Sequence, residues 1–189
     1  NNGDVWMIII LVRHGESERN IKVDKSDDSK LTRKGILQAQ NLGKRLKKDK
    51  IKINEIYTSN LIRTKETADI IARILNVPVR KGLDELNEYD PDFLRSRIKI
   101  IFDVRLRKLK KFIKKITRKK ERDKTILIIA HGVMNAIIVG ILLQFPIRKQ
   151  LLRLRYKNAS LTFLNWDKPH KNWRLDLMND THHLQGKSK

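Results

Sequence analysis

Apolar residues from Met7 to Val12 form an unbroken run that ends in Arg13-His14-Gly15-Glu16. A short continuous apolar run of this kind is the mark of a strand buried on both faces, with polar residues delivered at its carboxyl end. Thr32 is placed to cap a helix reaching about Lys48, whose Ile36, Leu37, Ala39, Leu42 and Leu46 make one apolar stripe. Asn54 to Thr58 reads as a short strand and Leu61 to Leu75 as a helix, followed by another extended piece at Asn76-Val77-Pro78-Val79. The order is therefore β-α-β-α-β.

From Pro91 to about Lys119 the residues Leu94, Ile98, Ile101, Leu109, Phe112, Ile113 and Ile116 keep helical spacing, while the positions between them are mostly Lys and Arg. This predicts one long, basic, amphipathic helix. Thr125 to Ala130 is a second fully apolar strand that again ends in His-Gly, and Val133 to Leu143 follows as an apolar helix. Leu151 to Tyr156, Ser160 to Trp166 and Trp173 to Leu177 are extended segments, the second alternating like a strand near a sheet edge. Strands alternating with helices predict a three-layer α/β/α sandwich with a mostly parallel sheet. In such sheets a ligand site lies outside the carboxyl ends of the strands, where both His14 and His131 fall.

Length changes this picture little, since 189 residues suit one core. Residues 7–189 are taken as that domain, with a short basic helical cap around 89–122, and residues 1–6 as an upstream extension outside it. No apolar run approaches the roughly 20 residues of a membrane-spanning helix, so a soluble, cytoplasmic protein is expected. The absence of cysteine excludes thiolate chemistry and disulfides. Charge adds more: 43 Lys and Arg against 21 Asp and Glu give a formal +22, a field that attracts polyanions. The basic face of the 95–122 helix can serve solubility, or draw an anionic substrate, a nucleic acid or an anionic membrane surface. No base-reading motif accompanies it. His170, His182 and His183 lack metal-ligand spacing and read as surface or tail residues; the three tryptophans and Tyr156 read as packing residues.

A neutral imidazole flanked by arginines can attack phosphorus, because guanidinium groups neutralise the phosphoryl oxygens and hold them through paired donors. Arg13, His14, Arg63 and His131 supply those parts without calling for a metal or another cofactor. A carboxylic acid near the phosphate can protonate the leaving oxygen.

Several segments carry a family likeness. Leu11-Val12-Arg13-His14-Gly15-Glu16-Ser17 with Asn20, and Leu31-Thr32-Arg33-Lys34-Gly35-Ile36-Leu37-Gln38-Ala39, resemble the opening of the histidine phosphatase superfamily, which is phosphoglycerate-mutase-like. Tyr57-Thr58-Ser59-Asn60-Leu61-Ile62-Arg63-Thr64-Lys65-Glu66-Thr67-Ala68 is similar to that family's second phosphate-binding segment, and Ile129-Ala130-His131-Gly132 to its late histidine. Asn158-Ala159-Ser160 and Asn179-Asp180 are similar to its usual ending. The resemblance implies that His14 becomes phosphohistidine and that Arg13, Arg63, His131, Asn20 and Gly132 contact the phosphoryl group. It implies an acid within Leu83-Asp84-Glu85-Leu86-Asn87-Glu88. Glu88 is favoured, because Leu86-Asn87-Glu88-Tyr89 resembles the family's Leu-x-Glu and its distance from Pro78 fits better. Glu85 is the reserve.

After that acid the chain departs from the family, with Tyr89-Asp90-Pro91-Asp92 where a Gly-x-Trp-Glu-Gly-like continuation is common. The short segment up to His131 implies a small lid and an open site, which favours hydrolysis over mutase action, because returning a phosphate requires excluding water. The expectation is a metal-independent phosphomonoesterase acting on a small phosphorylated metabolite or a phosphoprotein. Its rivals are a phosphoglycerate mutase and a non-enzymatic module that holds RNA or another polyanion on the same fold.

Overall fold

The computed structural model describes residues 5–24, 26, 28–80, 82–89, 99–118, 123–147 and 153–185. The first strand, β1, runs Val5–Arg13, two residues earlier than the apolar run suggests. Val5 pairs with Asp167, so Val5 and Trp6, read from sequence as an extension, belong to the sheet. Helix α1 (Arg33–Lys48) starts where Thr32 accepts from the Gly35 amide, the expected cap. Strand β2 (Glu55–Thr58) leads to α2 (Ile62–Leu75), which ends on Asn76 in the left-handed conformation that closes many helices. After a single 3-10 turn at Asp84–Leu86 come α3 (Lys99–Ile116), β3 (Lys124–Ala130) and α4 (Gly132–Leu142). Two antiparallel strands, β4 (Leu161–Asp167) and β5 (Asn172–Asp180), end the sheet.

The sheet order is β2-β3-β1-β4-β5. β3 pairs in parallel with both β2 and β1, whereas β4 pairs antiparallel with β1 and β5. The parallel part is thus the three-stranded half that carries the site, and the rest of the sheet is antiparallel. Of the basic helix expected over 91–119, α3 accounts for Lys99–Ile116; positions 90–98 and 119–122 lie outside the described residues. Val79 makes only an isolated bridge to Ile56 rather than a strand. Residues 153–156 form no strand either: the Tyr156 carbonyl accepts from the Arg13 side chain instead of from a neighbouring strand.

Period-two alternation in the central strands builds both layers. Ile10, Val12, Leu127 and Ile129 face Leu42, Leu46, Ala68 and Ile71 of α1 and α2. Ile9, Leu11, Ile126 and Ile128 face Leu109 and Ile113 of α3 with Met134 and Ile137 of α4. Each fully buried Ile or Leu side chain contributes about 1.5–3 kcal/mol of transfer free energy, so both faces of β1 and β3 anchor the strand ends rigidly. Among the described residues, no helix is long and apolar enough to cross a membrane.

Candidate active site

Parallel pairing puts Arg13 opposite Ala130, which brings the residues after β1 and β3 side by side. His14 and His131 consequently sit with ring centroids 5.2 Å apart at 63°, and both are buried. The His14 amide donates to the Ala130 carbonyl at 3.0 Å, tying the two strand ends together.

His14 Nδ1 lies 2.7 Å from the Gly15 carbonyl oxygen. A carbonyl can only accept, so Nδ1 carries the proton and the lone pair is on Nε2. Burial, then the nearby Arg13 and Arg63 charges, lower the His14 pKa to about 3, which keeps the ring neutral. Behind this residue the chain turns through a tight glycine contact. A Cβ on Gly15 would meet the Gly35 carbonyl oxygen at 2.5 Å, and one on Gly35 would meet the Glu16 carbonyl oxygen at 2.0 Å. Both positions need glycine because main chain abuts main chain.

His131 has the opposite tautomer. Arg63 Nη2 lies 3.3 Å from His131 Nδ1, and a guanidinium only donates. The proton is therefore on Nε2, which donates to Ser59 Oγ at 2.9 Å. Ser59 Oγ is itself 2.7 Å from Thr64 Oγ1, and Thr64 Oγ1 donates to the Leu61 carbonyl. Burial, followed by the charges of His14, Arg63, Arg13 and Arg105, holds the His131 pKa well below the usual imidazole value.

Glu88 reaches the site from the loop after the 3-10 turn. Its Oε1 accepts from the Met134 amide at 3.2 Å, in the first turn of α4, and from the Tyr89 amide at 3.1 Å. Burial pushes its pKa up, against the pull of those amides and of Arg13 and Arg63. Reciprocally, Glu88 is the carboxylate whose charge acts on Arg13. The alternative acid, Glu85, lines a separate cavity with Asp84, Asn87, Arg105 and Lys108. Geometry thus brings Glu88 to Arg13 and Arg63 and leaves Glu85 in that other cavity.

Asn20 is held next to His14 by an amide network. Its Oδ1 accepts from the Ser17 amide (3.0 Å), Ser17 Oγ (3.2 Å) and Asn158 Nδ2 (3.0 Å). Asn158 Nδ2 also reaches the His14 and Gly15 carbonyls at 3.1 and 3.3 Å. Gly132 begins α4, where the first amides of a helix favour an anion.

Among the described residues no group of three or more His, Asp or Glu side chains could hold a metal ion. The site instead gathers two guanidiniums, two neutral imidazoles and one carboxyl group of raised pKa.

The model of the histidine phosphatase superfamily (branch 1) matches residues 9–94 and 102–181. The chain belongs to that superfamily. Two curated relatives illustrate where this histidine phosphatase sits. It is 29% identical to the mitochondrial serine/threonine-protein phosphatase Pgam5 of Drosophila virilis over 95% of this chain, and 32% identical to that of Drosophila yakuba over 82%. It spans 65% and 57% of those relatives' own lengths. Solved structures share its fold: the alpha-ribazole phosphatase of Shigella flexneri at TM-score 0.74 and 22% identity, covering 93% of this chain and 97% of that one. The phosphoserine phosphatase of Entamoeba histolytica with 3-phosphoglyceric acid superposes at TM-score 0.73 and 22% identity, covering 95% and 100%.

The matched segments bring Arg13, His14, Arg63, Glu88 and His131 together, with Asn20 tied to the His14 carbonyl through Asn158 and Gly132 beside the Arg13 side chain. Sequence reading gave no role to Ser59, Thr67 or Asn158. Thr67 Oγ1 accepts from the Gly15 amide at 3.1 Å while donating to the Arg63 carbonyl, joining the first and second motifs. Its place one helical turn after Arg63 was the available signal. Asn158 and Ser59 left none beyond membership in their motifs. His183, expected as a tail residue, is a correction: its Nε2 donates to the Ala159 carbonyl at 3.0 Å, and the Ala159 amide donates to the Arg13 and His14 carbonyls. His170 is exposed beside Asp167, as expected.

Proposed function

We propose that this histidine phosphatase hydrolyses phosphomonoesters through a phosphohistidine on His14, without a metal ion. The observation that carries the reading is the tautomer of His14, whose Nδ1 proton is committed to the Gly15 carbonyl. That leaves the Nε2 lone pair as nucleophile, on a ring kept neutral by a pKa of about 3. Arg13 and Arg63 neutralise the phosphoryl oxygens where charge develops, with further donors from Asn20 and the Gly132 amide.

In the first step Nε2 bonds to phosphorus, the ester P–O bond breaks, and the leaving oxygen takes a proton from Glu88. Burial favours the protonated acid that this requires. In the second step Glu88 accepts a proton from water as its oxygen bonds to phosphorus. The P–N bond breaks, inorganic phosphate leaves and the Nε2 lone pair returns. His131 faces a group of positive charges that a phosphate dianion would offset. It then takes a second proton and donates to the phosphoryl group from Nδ1.

Phosphate release from p-nitrophenyl phosphate in EDTA tests this. The wild type is expected to release phosphate and to form an acid-labile phosphoenzyme, and His14→Ala to do neither. Undiminished release by His14→Ala would overturn the reading, and isomerisation with no phosphate release would assign a mutase.

A further inference from the structure

The basic helix is left unused by the chemistry at His14. Within α3, Lys108, Lys110, Lys111, Lys114 and Lys115 are all exposed, and Arg118 is exposed just beyond its end. Lys108, Lys111 and Lys115 follow one another at spacings of three and four, so they line a single face about 10 Å long at the helical rise. No acidic residue occurs from Val104 to Arg118. Like charges three and four apart weaken a helix, and solubility alone is served by interspersed signs. The stripe is costly unless something anionic lies on it.

We infer that this lysine stripe docks an acidic segment of a phosphorylated protein substrate while the phosphorylated residue occupies the His14 site, a proposal that rests on the phosphatase reading. Three features favour such a peptide. The near end of the stripe is beside the acid: Arg105 donates to the Asn87 carbonyl at 2.9 Å and to the Glu88 carbonyl at 3.4 Å, and stacks on Tyr89 with its guanidinium carbon 4.1 Å from the ring centroid. Arg105 and Lys108 share a cavity of about 290 Å³ with Asp84, Glu85 and Asn87, so an occupant of the stripe has its end next to the acid's loop, with its own carboxylates kept to the Lys111 and Lys115 side, away from Asp84 and Glu85. An extended segment of three or four residues spans the stripe at about 3.3 Å per residue.

Secondly, the helix offers no stacking platform for bases. Phe112 is the one aromatic residue from Val104 to Arg118, and it packs edge-on against Tyr57 at 5.2 Å. Single-stranded nucleic acid gains much of its affinity from such platforms. Thirdly, the apolar stripe of the helix is spent inside the protein, with Leu106, Leu109, Ile113 and Ile116 buried in the core. A helix that lies in a membrane interface inserts that stripe into lipid. From Arg107 to Lys115 every exposed position is Lys or Arg, with the exposed Val104 one turn before them, and that charge suits carboxylate side chains on a peptide.

The test compares wild type with the charge reversal Lys108→Glu/Lys111→Glu/Lys115→Glu on three substrates. These are p-nitrophenyl phosphate, a phosphoserine peptide flanked by four or five acidic residues, and the same peptide flanked by glutamine. Wild type is expected to prefer the acidic peptide in kcat/KM by about tenfold, mostly through KM, with the preference shrinking in 0.5 M NaCl. The reversal should erase that preference and leave p-nitrophenyl phosphate within about twofold. Equal use of both peptides by wild type, or an equal loss on all three substrates in the variant, would overturn it. Binding of the unphosphorylated acidic peptide, read by fluorescence anisotropy, separates this proposal from the phosphatase reading. Binding lost in the variant supports the stripe even if no substrate is turned over. Tighter wild-type binding to an RNA oligonucleotide or to phosphatidylserine vesicles than to the peptide would reassign the surface. Activity on p-nitrophenyl phosphate with no acidic-peptide binding refutes the stripe alone.

Discussion

The ends of β1 and β3 carry the same dipeptide, His-Gly, after the same kind of buried apolar strand, yet the two imidazoles are held by different partners. At His14-Gly15 the imidazole proton is on Nδ1 and is held by the next carbonyl, which exposes Nε2. At His131-Gly132 the proton is on Nε2 and is held by Ser59, which leaves Nδ1 toward Arg63. The glycines differ as sharply. Gly15 is pressed against the Gly35 main chain, so that a Cβ there would lie only 2.5 Å from the Gly35 carbonyl oxygen, whereas the nearest atom to a Cβ on Gly132 is an Arg13 side-chain carbon at 3.9 Å. A strand end fixes where an imidazole sits. The partner of its other nitrogen fixes what it can do.

This contrast is open to measurement, most severely at the two rings themselves. Replacing the nucleophile, His14→Ala, should lower kcat on p-nitrophenyl phosphate by at least about 10⁴-fold. His131→Ala removes one donor and should cost about 10²–10³-fold. Equal losses in steady-state kinetics would erase the proposed division of labour.

Glu88 belongs to the His131 side, since it accepts from the α4 amide of Met134. Glu88→Gln should slow esters of poor leaving groups by about 10²-fold while sparing those of good ones. In the wild type, kcat/KM should fall as pH rises through the raised Glu88 pKa, because the protonated acid is lost. His14, neutral down to about pH 3, should impose no loss between pH 7 and 5. A pH profile of each protein checks both limbs.

Ser59 touches His131 without reaching the nucleophile. Ser59→Ala should reduce kcat about tenfold, as loss of an orienting partner does. A phosphoenzyme formed on His14 at the wild-type level but decaying slowly would also fit that positioning role, whereas unchanged kinetics throughout would remove it.

Stability effects are expected to be smaller and to separate the glycines. Gly15→Ala should cost about 1–3 kcal/mol, because main chain must move, and Gly132→Ala under about 0.5 kcal/mol, both read by urea unfolding. The two buried neutral histidines also set a pH dependence. Both have folded pKa values below the unfolded value of 6.5, so the unfolded state binds more protons as the solution is acidified. Their contribution is fully present above pH 6.5 and is lost progressively below it, for His14 toward about pH 3, at up to ~1.4 kcal/mol per pH unit for each ring. His14→Asn should remove about half of that slope between pH 6 and 4.

Much of this architecture is written in local pattern. The apolar runs of β1 and β3, the stripes of α1 and α2, and the Thr32 cap all depend on neighbours within a turn or two, so periodicity reveals them. The antiparallel pairing of β4 and β5 and the recruitment of Val5 and Trp6 depend on a partner strand far along the chain, which periodicity does not name. Motif spacing likewise marked Arg13, His14, Arg63 and His131, whereas Ser59 and Asn158 act only through contacts made across the fold.

Sequence by itself determined that two buried strands end in His-Gly, the first directly after an arginine, and that the chain would be strongly basic, because residue type and spacing are local properties. Tertiary structure brought Glu88 rather than Glu85 to Arg13 and Arg63, gave two like histidines opposite tautomers and set Arg105 of α3 against the Asn87 and Glu88 carbonyls. Those outcomes follow from burial and from hydrogen-bond partners contributed by distant segments, which exist only once the layers have packed.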